Sequence, residues 1–222
     1  MADFKVVEKF VSINGEGTKA GQLAVFIRLK GCNLKCNYCD TKWANHENAP
    51  YNLMNEFEIY KYIKDTGVKN VTLTGGEPLY REDMKILLKL LSIDENIRIE
   101  IETNGSVDLQ EYIGINNNIS FTMDYKLPDS GMEEYMCMSN MEILRNNDTV
   151  KFVASSVSDL HKCKEIVDKY NLTGKCHVYI SPVFGKIDPV AIVEFMKDNK
   201  MNDVNMQLQL HKFIWDPDKK GV

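Results

Sequence analysis

Ile97-Arg98-Ile99-Glu100-Ile101-Glu102 alternates isoleucine with charge at every step. A period of two marks a strand with one apolar and one polar face. The pattern returns at Ile119-Ser120-Phe121-Thr122-Met123-Asp124 and at Met206-Gln207-Leu208-Gln209-Leu210-His211. By the same criteria strands are expected near 5-11, 23-30, 70-74, 97-102, 118-124, 149-154, 176-181 and 204-210, with helices filling the gaps after residue 55. Asn55 and Glu58 form a capping-box pair, and Gly67 suits a left-handed helix end. Asp188-Pro189 reads as an N-cap followed by proline in the first helical position. Strands alternating with helices imply βαβ units and a parallel sheet. Strands covered on both faces usually read as continuous apolar runs, and these do not. Their polar face meets either bulk water or the lumen of a partly closed barrel with its helices outside. The barrel is the preferred reading, because parallel sheets rarely leave a face bare. At 222 residues, against the ~250 typical of eight units, an α/β fold is expected: a modified, incomplete βα (TIM-like) barrel, with 1-222 as a single domain.

The whole-chain properties exclude several classes. The hydrophobic fraction of 44% fits one globular core, and no repeat or low-complexity linker divides it. A formal net charge of -5, with Lys and Arg scattered, gives no footprint for nucleic acid. The start, Met-Ala-Asp-Phe-Lys, has no basic segment and apolar run, and no apolar stretch reaches membrane-spanning length. A cytoplasmic protein without a membrane partner is expected. Cys137, Cys163 and Cys176 lie far apart and read as small buried apolar side chains. The other three cysteines fall within eight residues.

They lie in Gly31-Cys32-Asn33-Leu34-Lys35-Cys36-Asn37-Tyr38-Cys39-Asp40-Thr41, immediately after an expected strand. Closely spaced soft thiolates are metal ligands. Structural zinc takes four protein ligands, and His46 is the next candidate, so a zinc-stabilised binding protein is one alternative. An electron-carrying 4Fe-4S cluster normally uses four cysteines, and three leave one iron free. Other polar residues gather where the chain leaves its strands, at Thr74-Gly75-Gly76-Glu77, Glu102-Thr103-Asn104, Asp124-Tyr125-Lys126, Ser181 and His211. That rim is where barrel enzymes place their chemistry.

The spacing Cys-x3-Cys-x2-Cys, with Tyr38 before the last cysteine, resembles the radical S-adenosylmethionine (SAM) superfamily. The resemblance implies that the free iron chelates SAM and that one electron from the cluster cleaves it to a 5'-deoxyadenosyl radical. Thr74-Gly75-Gly76-Glu77-Pro78 looks like that superfamily's GGE motif, with glycines admitting the ligand and Glu77 pairing with its ammonium group. Phe10-Val11-Ser12-Ile13-Asn14-Gly15-Glu16-Gly17, Arg28 and the closing run from Gln207 to Trp215 further resemble the 7-carboxy-7-deazaguanine synthase family. That family rearranges 6-carboxy-5,6,7,8-tetrahydropterin, contracting a ring and releasing ammonia on the way to queuosine. The nearest rival enzyme is a glycyl-radical activase acting on a partner protein.

What the resemblance implies can be carried over residue by residue. Ile13, Asn14 and Gly15 would contact substrate, Glu16 would read its amino-pyrimidine edge, Arg28 would hold its carboxylate, and Thr74 and His211 would complete the pocket. On this resemblance Glu16, Arg28 and His211 would form the catalytic set. SAM would contact Tyr38, Cys39, Asp40, Gly76, Glu77, Thr103, Asn104, Asp124, Tyr125 and Lys126. Cys32, Cys36 and Cys39 would hold the cluster and Thr41 a Mg2+. A flavodoxin or ferredoxin as electron donor and a homodimer are further implications. Two positions depart from the family: Asn14 stands where glutamine is usual, and Asp124-Tyr125-Lys126 replaces a Ser-Pro-Lys-like run. Residues 42-54 have no evident counterpart.

Overall fold

In the computed structural model, which describes residues 2–81 and 83–222, nine strands form one sheet. β1 (Asp3–Ile13) and β2 (Leu23–Leu29) pair antiparallel, with a bulge between Val6 and Glu8. After the short helix α1 (Lys42–Asn45), β3 (Asn52–Asn55) pairs antiparallel with the start of β1. α2 (Glu56–Thr66) then leads to β4 (Asn70–Gly75), which pairs parallel with β2. α3 (Met84–Ser92) precedes β5 (Arg98–Thr103) and β6 (Ile119–Tyr125). α4 (Asn140–Ile143), β7 (Thr149–Ala154), α5 (Val157–Tyr170), β8 (His177–Pro182), α6 (Pro189–Asp198), β9 (Val204–Met206) and α7 (His211–Ile214) follow. The strand order is β3-β1-β2-β4-β5-β6-β7-β8-β9, an incomplete TIM-like barrel with β3 and β9 at its edges.

The punctuation residues act as the sequence suggests. The Asn55 side chain accepts N–H bonds from Phe57 and Glu58, and the Glu58 carboxylate accepts from the Asn55 N–H at 2.8 Å. Gly67 ends α2 at φ 68, and Asp188 caps α6 through the Val190 N–H. The alternation sorts the two faces. Ile27, Leu73, Ile99, Phe121, Phe152 and Ile180 are fully buried in one core with Ile59, Leu87, Leu88 and Leu160 from the helices. The opposite face puts Arg28 beside Thr74, Thr72 beside Glu100 and Asp124 beside Lys151.

Three expectations need correction. β1 and β3 run antiparallel, so only the stretch from β2 to β9 is a parallel sheet. No α-helix fills 104–118, because the buried Asn140 side chain accepts from the Leu109 N–H and donates to the carbonyls of Gly105 and Val107. A side chain from elsewhere thereby satisfies backbone groups that a helix would have paired internally. The strand expected over 204-210 stops at Met206. Beyond it the Gln207 side chain accepts from the Gly17 N–H at 2.7 Å, and the Leu210 N–H donates to the Gly15 carbonyl at 3.1 Å. The chain's last segment thus bonds to the loop after β1 instead of lengthening the sheet. Among the described residues, no helix is long and apolar enough to cross a membrane.

Candidate active site

The carboxyl ends of the parallel strands open into a cavity of about 1020 Å³. The cysteine loop forms one wall, seated on the turn after β4. A Cβ on Gly76 would lie 2.1 Å from the Gly31 carbonyl oxygen, and one on Gly75, at φ 145, would lie 2.1 Å from that of Leu29. The two glycines therefore admit the neighbouring backbone, a nearer demand than the approach of a ligand. The Glu77 N–H donates to Gly31 O, Arg81 donates to Lys30 O, and the Asn37 N–H donates to Ser130 O. All three loop thiols are free and line the cavity. Burial raises the proton affinity of Cys32 and Cys36, and each is raised further by the charge of neighbouring loop thiols. Metal ligation relieves that penalty by replacing the proton. Cys32 Sγ also accepts from Leu34 N–H at 3.4 Å and from Asn104 Nδ2 at 3.6 Å.

These residues fit a 4Fe-4S cluster. Among the described residues no three His, Cys, Asp or Glu side chains converge tightly enough for a single ion. A cubane takes its thiolates at separate irons and does not need that convergence. His46, the fourth ligand of the zinc alternative, is exposed at the cavity edge, where its Nδ1 accepts from Asn48 N–H. Thr41 Oγ1 lies 3.5 Å from Cys39 Sγ, and Asp40 is exposed.

Of the expected SAM-binding residues, Tyr38, Cys39, Asp40, Gly76, Thr103, Asn104, Asp124 and Lys126 line the cavity. Glu77 and Tyr125 do not. Glu77 is 1% exposed and its carboxylate is occupied, accepting from Leu79 N–H, Thr103 Oγ1 and Asn104 N–H. It ties the end of β4 to the end of β5. Burial pushes its carboxyl up to about 7 against the pull of those donors. Tyr125 is buried on the helix side of β6 and donates to Glu133. Tyr38 donates to the Val153 carbonyl, and Lys126 Nζ pairs with Asp124 Oδ2 at 2.7 Å, leaving Asp124 Oδ1 buried without a partner among the described residues.

The cavity lining also brings Ile13, Gly15, Glu16, Arg28, Thr74 and His211 together. Asn14 is apart: its backbone is spent on Gln22 and Gly21 within the loop, and its Oδ1 accepts from Thr72 Oγ1 in the interior. Its side chain is 3% exposed, so neither route leads to the cavity. Glu16 accepts from Ser181 Oγ at 2.9 Å, Lys151 Nζ at 3.0 Å and Gln209 Nε2 at 3.0 Å. Burial disfavours its charge, yet the positive charge of Lys151 and the hydrogen bonds from Gln209, Lys151 and Ser181 hold it below the usual carboxylate range. Arg28 Nε bonds Glu8 at 2.9 Å, the one hydrogen bond its side chain forms among the described residues. Its two terminal nitrogens are thus uncommitted. His211 packs against Gly15, where a Cβ would come within 2.4 Å of its Nδ1. Burial lowers the proton affinity of His211, opposed by Glu16. Phe10 and Phe26, stacked at 5.0 Å, line the same cavity.

Sequence reasoning missed Lys151, Gln209 and Glu8. The alternation Val150-Lys151-Phe152 within an expected strand was the available signal for the first. The stretch from Pro217 to Val222 also lines the mouth, with Lys220 Nζ 4.0 Å from the centre of the Trp43 ring.

Comparison with known proteins agrees with this geometry. The family model for the Radical SAM superfamily matches residues 26–124. A protein of Clostridium acetobutylicum named 7-carboxy-7-deazaguanine synthase is 61% identical over 220 residues, 99% of this chain and 100% of the relative. One of the same name from Chlorobaculum tepidum is 34% identical, covering 100% of this chain and 98% of that protein. The crystal structure of QueE from Escherichia coli superposes with a TM-score of 0.74 at 21% identity, covering 93% of this chain and 94% of the other, a likeness of fold. With 61% identity sustained along its length, the chain belongs to the 7-carboxy-7-deazaguanine synthase family of the radical SAM superfamily.

Proposed function

We propose that this protein converts 6-carboxy-5,6,7,8-tetrahydropterin to 7-carboxy-7-deazaguanine and ammonia, with residues 1-222 working as one radical SAM domain. One observation carries the reading: a single cavity presents an ionised Glu16, an uncommitted Arg28 fork and three free thiols. A fixed anion suits the N–H donors of an amino-pyrimidine edge, and a planar fork suits a carboxylate. The substrate carries both groups.

Cys32, Cys36 and Cys39 would hold the cluster, and Tyr38, Asp40, Gly76, Thr103, Asn104, Asp124 and Lys126 would hold SAM. When bound, these cofactors supply the one-electron hydrogen abstraction. The protein orients the substrate through Glu16, Arg28, Thr74 and His211 and excludes water around it. Thr41 would offer a hard hydroxyl oxygen to a Mg2+ ion, which would supply charge stabilisation during the rearrangement. The setting is cytoplasmic, as a homodimer reduced by a flavodoxin or ferredoxin, with a small-molecule substrate and no nucleic acid or membrane partner.

The test is anaerobic incubation of cluster-reconstituted protein with reductant, SAM and the carboxypterin. Formation of the deazaguanine, followed by mass spectrometry, is expected. Cleavage of SAM with no deazaguanine would overturn the substrate.

A further inference from the structure

We propose that Lys151 is a positioning residue that keeps Glu16 ionised and aimed at the substrate's donor edge. The inference deepens the proposed function and rests on it. Glu16 stands in the loop between β1 and β2, outside any strand. Its orientation therefore comes from what it bonds: Lys151 on β7, Ser181 on β8 and Gln209 ahead of α7. Lys151 is the only cation among the three. The pair is well shielded, with side-chain exposures of 13% for Lys151 and 11% for Glu16.

A carboxylate withdrawn from water keeps its charge only with a compensating partner, and otherwise takes a proton. A protonated Glu16 has a donor of its own and one acceptor fewer, which mismatches a ligand edge made of N–H groups. Burial disfavours the charge of Lys151 too, but the carboxylates of Glu16, Asp124 and Glu102 hold it protonated well above the ordinary lysine range. His211 also faces Glu16, as an imidazole whose burial works against its charge. Asp124 is paired with Lys126 and Glu100 with Thr122. Removing Lys151 would thus leave Glu16 across the lumen from acidic neighbours, with its own proton affinity raised.

The test measures carboxypterin binding calorimetrically, using cluster-loaded, SAM-bound protein without reductant, from about pH 6 to 9. Wild type should bind with nearly constant affinity across neutral pH. Lys151→Met should bind at least about ten-fold more weakly at neutral pH and regain affinity as the pH rises. Lys151→Arg should stay close to wild type. In a Glu16→Gln background, Lys151→Met should add no pH dependence. If Lys151→Met fails to retain its cluster, Lys151→Gln carries the same expectation. SAM cleavage without pterin checks that each variant is assembled. A wild-type affinity and pH profile in Lys151→Met, or a loss equal at every pH, would overturn the proposal while leaving the substrate in place. Wild-type protein that binds no carboxypterin would bring down both.

Discussion

The imidazole of His211 occupies the space that a side chain at residue 15 would need. The obstructing atom belongs to a side chain that can swing, so Gly15→Ala should leave the fold intact and push His211 out of place. A rise in KM for the carboxypterin of about ten-fold, with melting temperature nearly unchanged, is the expected outcome of steady-state kinetics and thermal unfolding. Arg28 poses a sharper question, because Glu8 fixes its Nε and leaves the other two nitrogens to work as a fork. Lysine supplies charge without that geometry. Arg28→Lys should therefore raise KM by about ten-fold or more and Arg28→Ala further, while SAM cleavage without substrate persists. Residues such as these were legible because each is chemically conspicuous beside a strand end. Glu77 and Asn14 lie off the cavity lining for a common reason: the donors that claim them, Asn104 and Thr72, lie 27 and 58 positions away. A motif shows a side chain's chemistry, while its direction depends on partners brought in by the fold.

At the level of elements, the turn after β4 joins the cysteine loop, through Gly31, to the end of β5, through Glu77, and Asn104 at that end reaches back to Cys32. Glu77→Ala would strand the buried N–H groups of Leu79 and Asn104, which costs about 2–4 kcal/mol. It should also lower iron content per chain, since Asn104 loses its tether. Both are measurable, by denaturant unfolding and iron analysis. The same carboxyl gives a pH signature. Its proton affinity rises on folding, from the ordinary 4.5 to about 7. Between those values the folded protein keeps a proton that the unfolded chain has lost. The contribution of Glu77 is therefore full below the lower value and declines as pH rises through the higher one, by ~3 kcal/mol at ~1.4 kcal/mol per pH unit. Glu77→Gln cannot titrate, so wild-type stability relative to this variant should fall from about pH 5 to 8. Periodicity located β2 and β4 to β8 to within a residue or so at either end. It did not reveal α1 and β3, four residues each, which are too short to show a period.

For the molecule as a whole, the incomplete barrel followed from the conflict between parallel connectivity and alternating strands. How its open side is spanned was not readable, because side-chain and backbone bonds from Gln207 and Leu210 to the loop at Gly15 and Gly17 leave no periodic trace. Nor was the distribution of charge. The chain carries -5, yet among the described residues nine Lys and Arg line the cavity against six Asp and Glu. Three of those cations, Lys212, Lys219 and Lys220, belong to the closing segment, and Lys220 rests on Trp43 at the mouth. A concave site with a local excess of one sign attracts the opposite sign over about a Debye length, ~10 Å at 0.1 M salt. A carboxylate-bearing substrate should then be drawn in faster at low ionic strength. Raising salt from about 0.02 to 0.3 M should increase its KM several-fold while kcat at saturation stays level. Replacing Lys219 and Lys220 together with glutamine should flatten that dependence. A KM that ignores salt in wild type would restrict these lysines to holding the segment against Trp43, with no part in guiding the substrate.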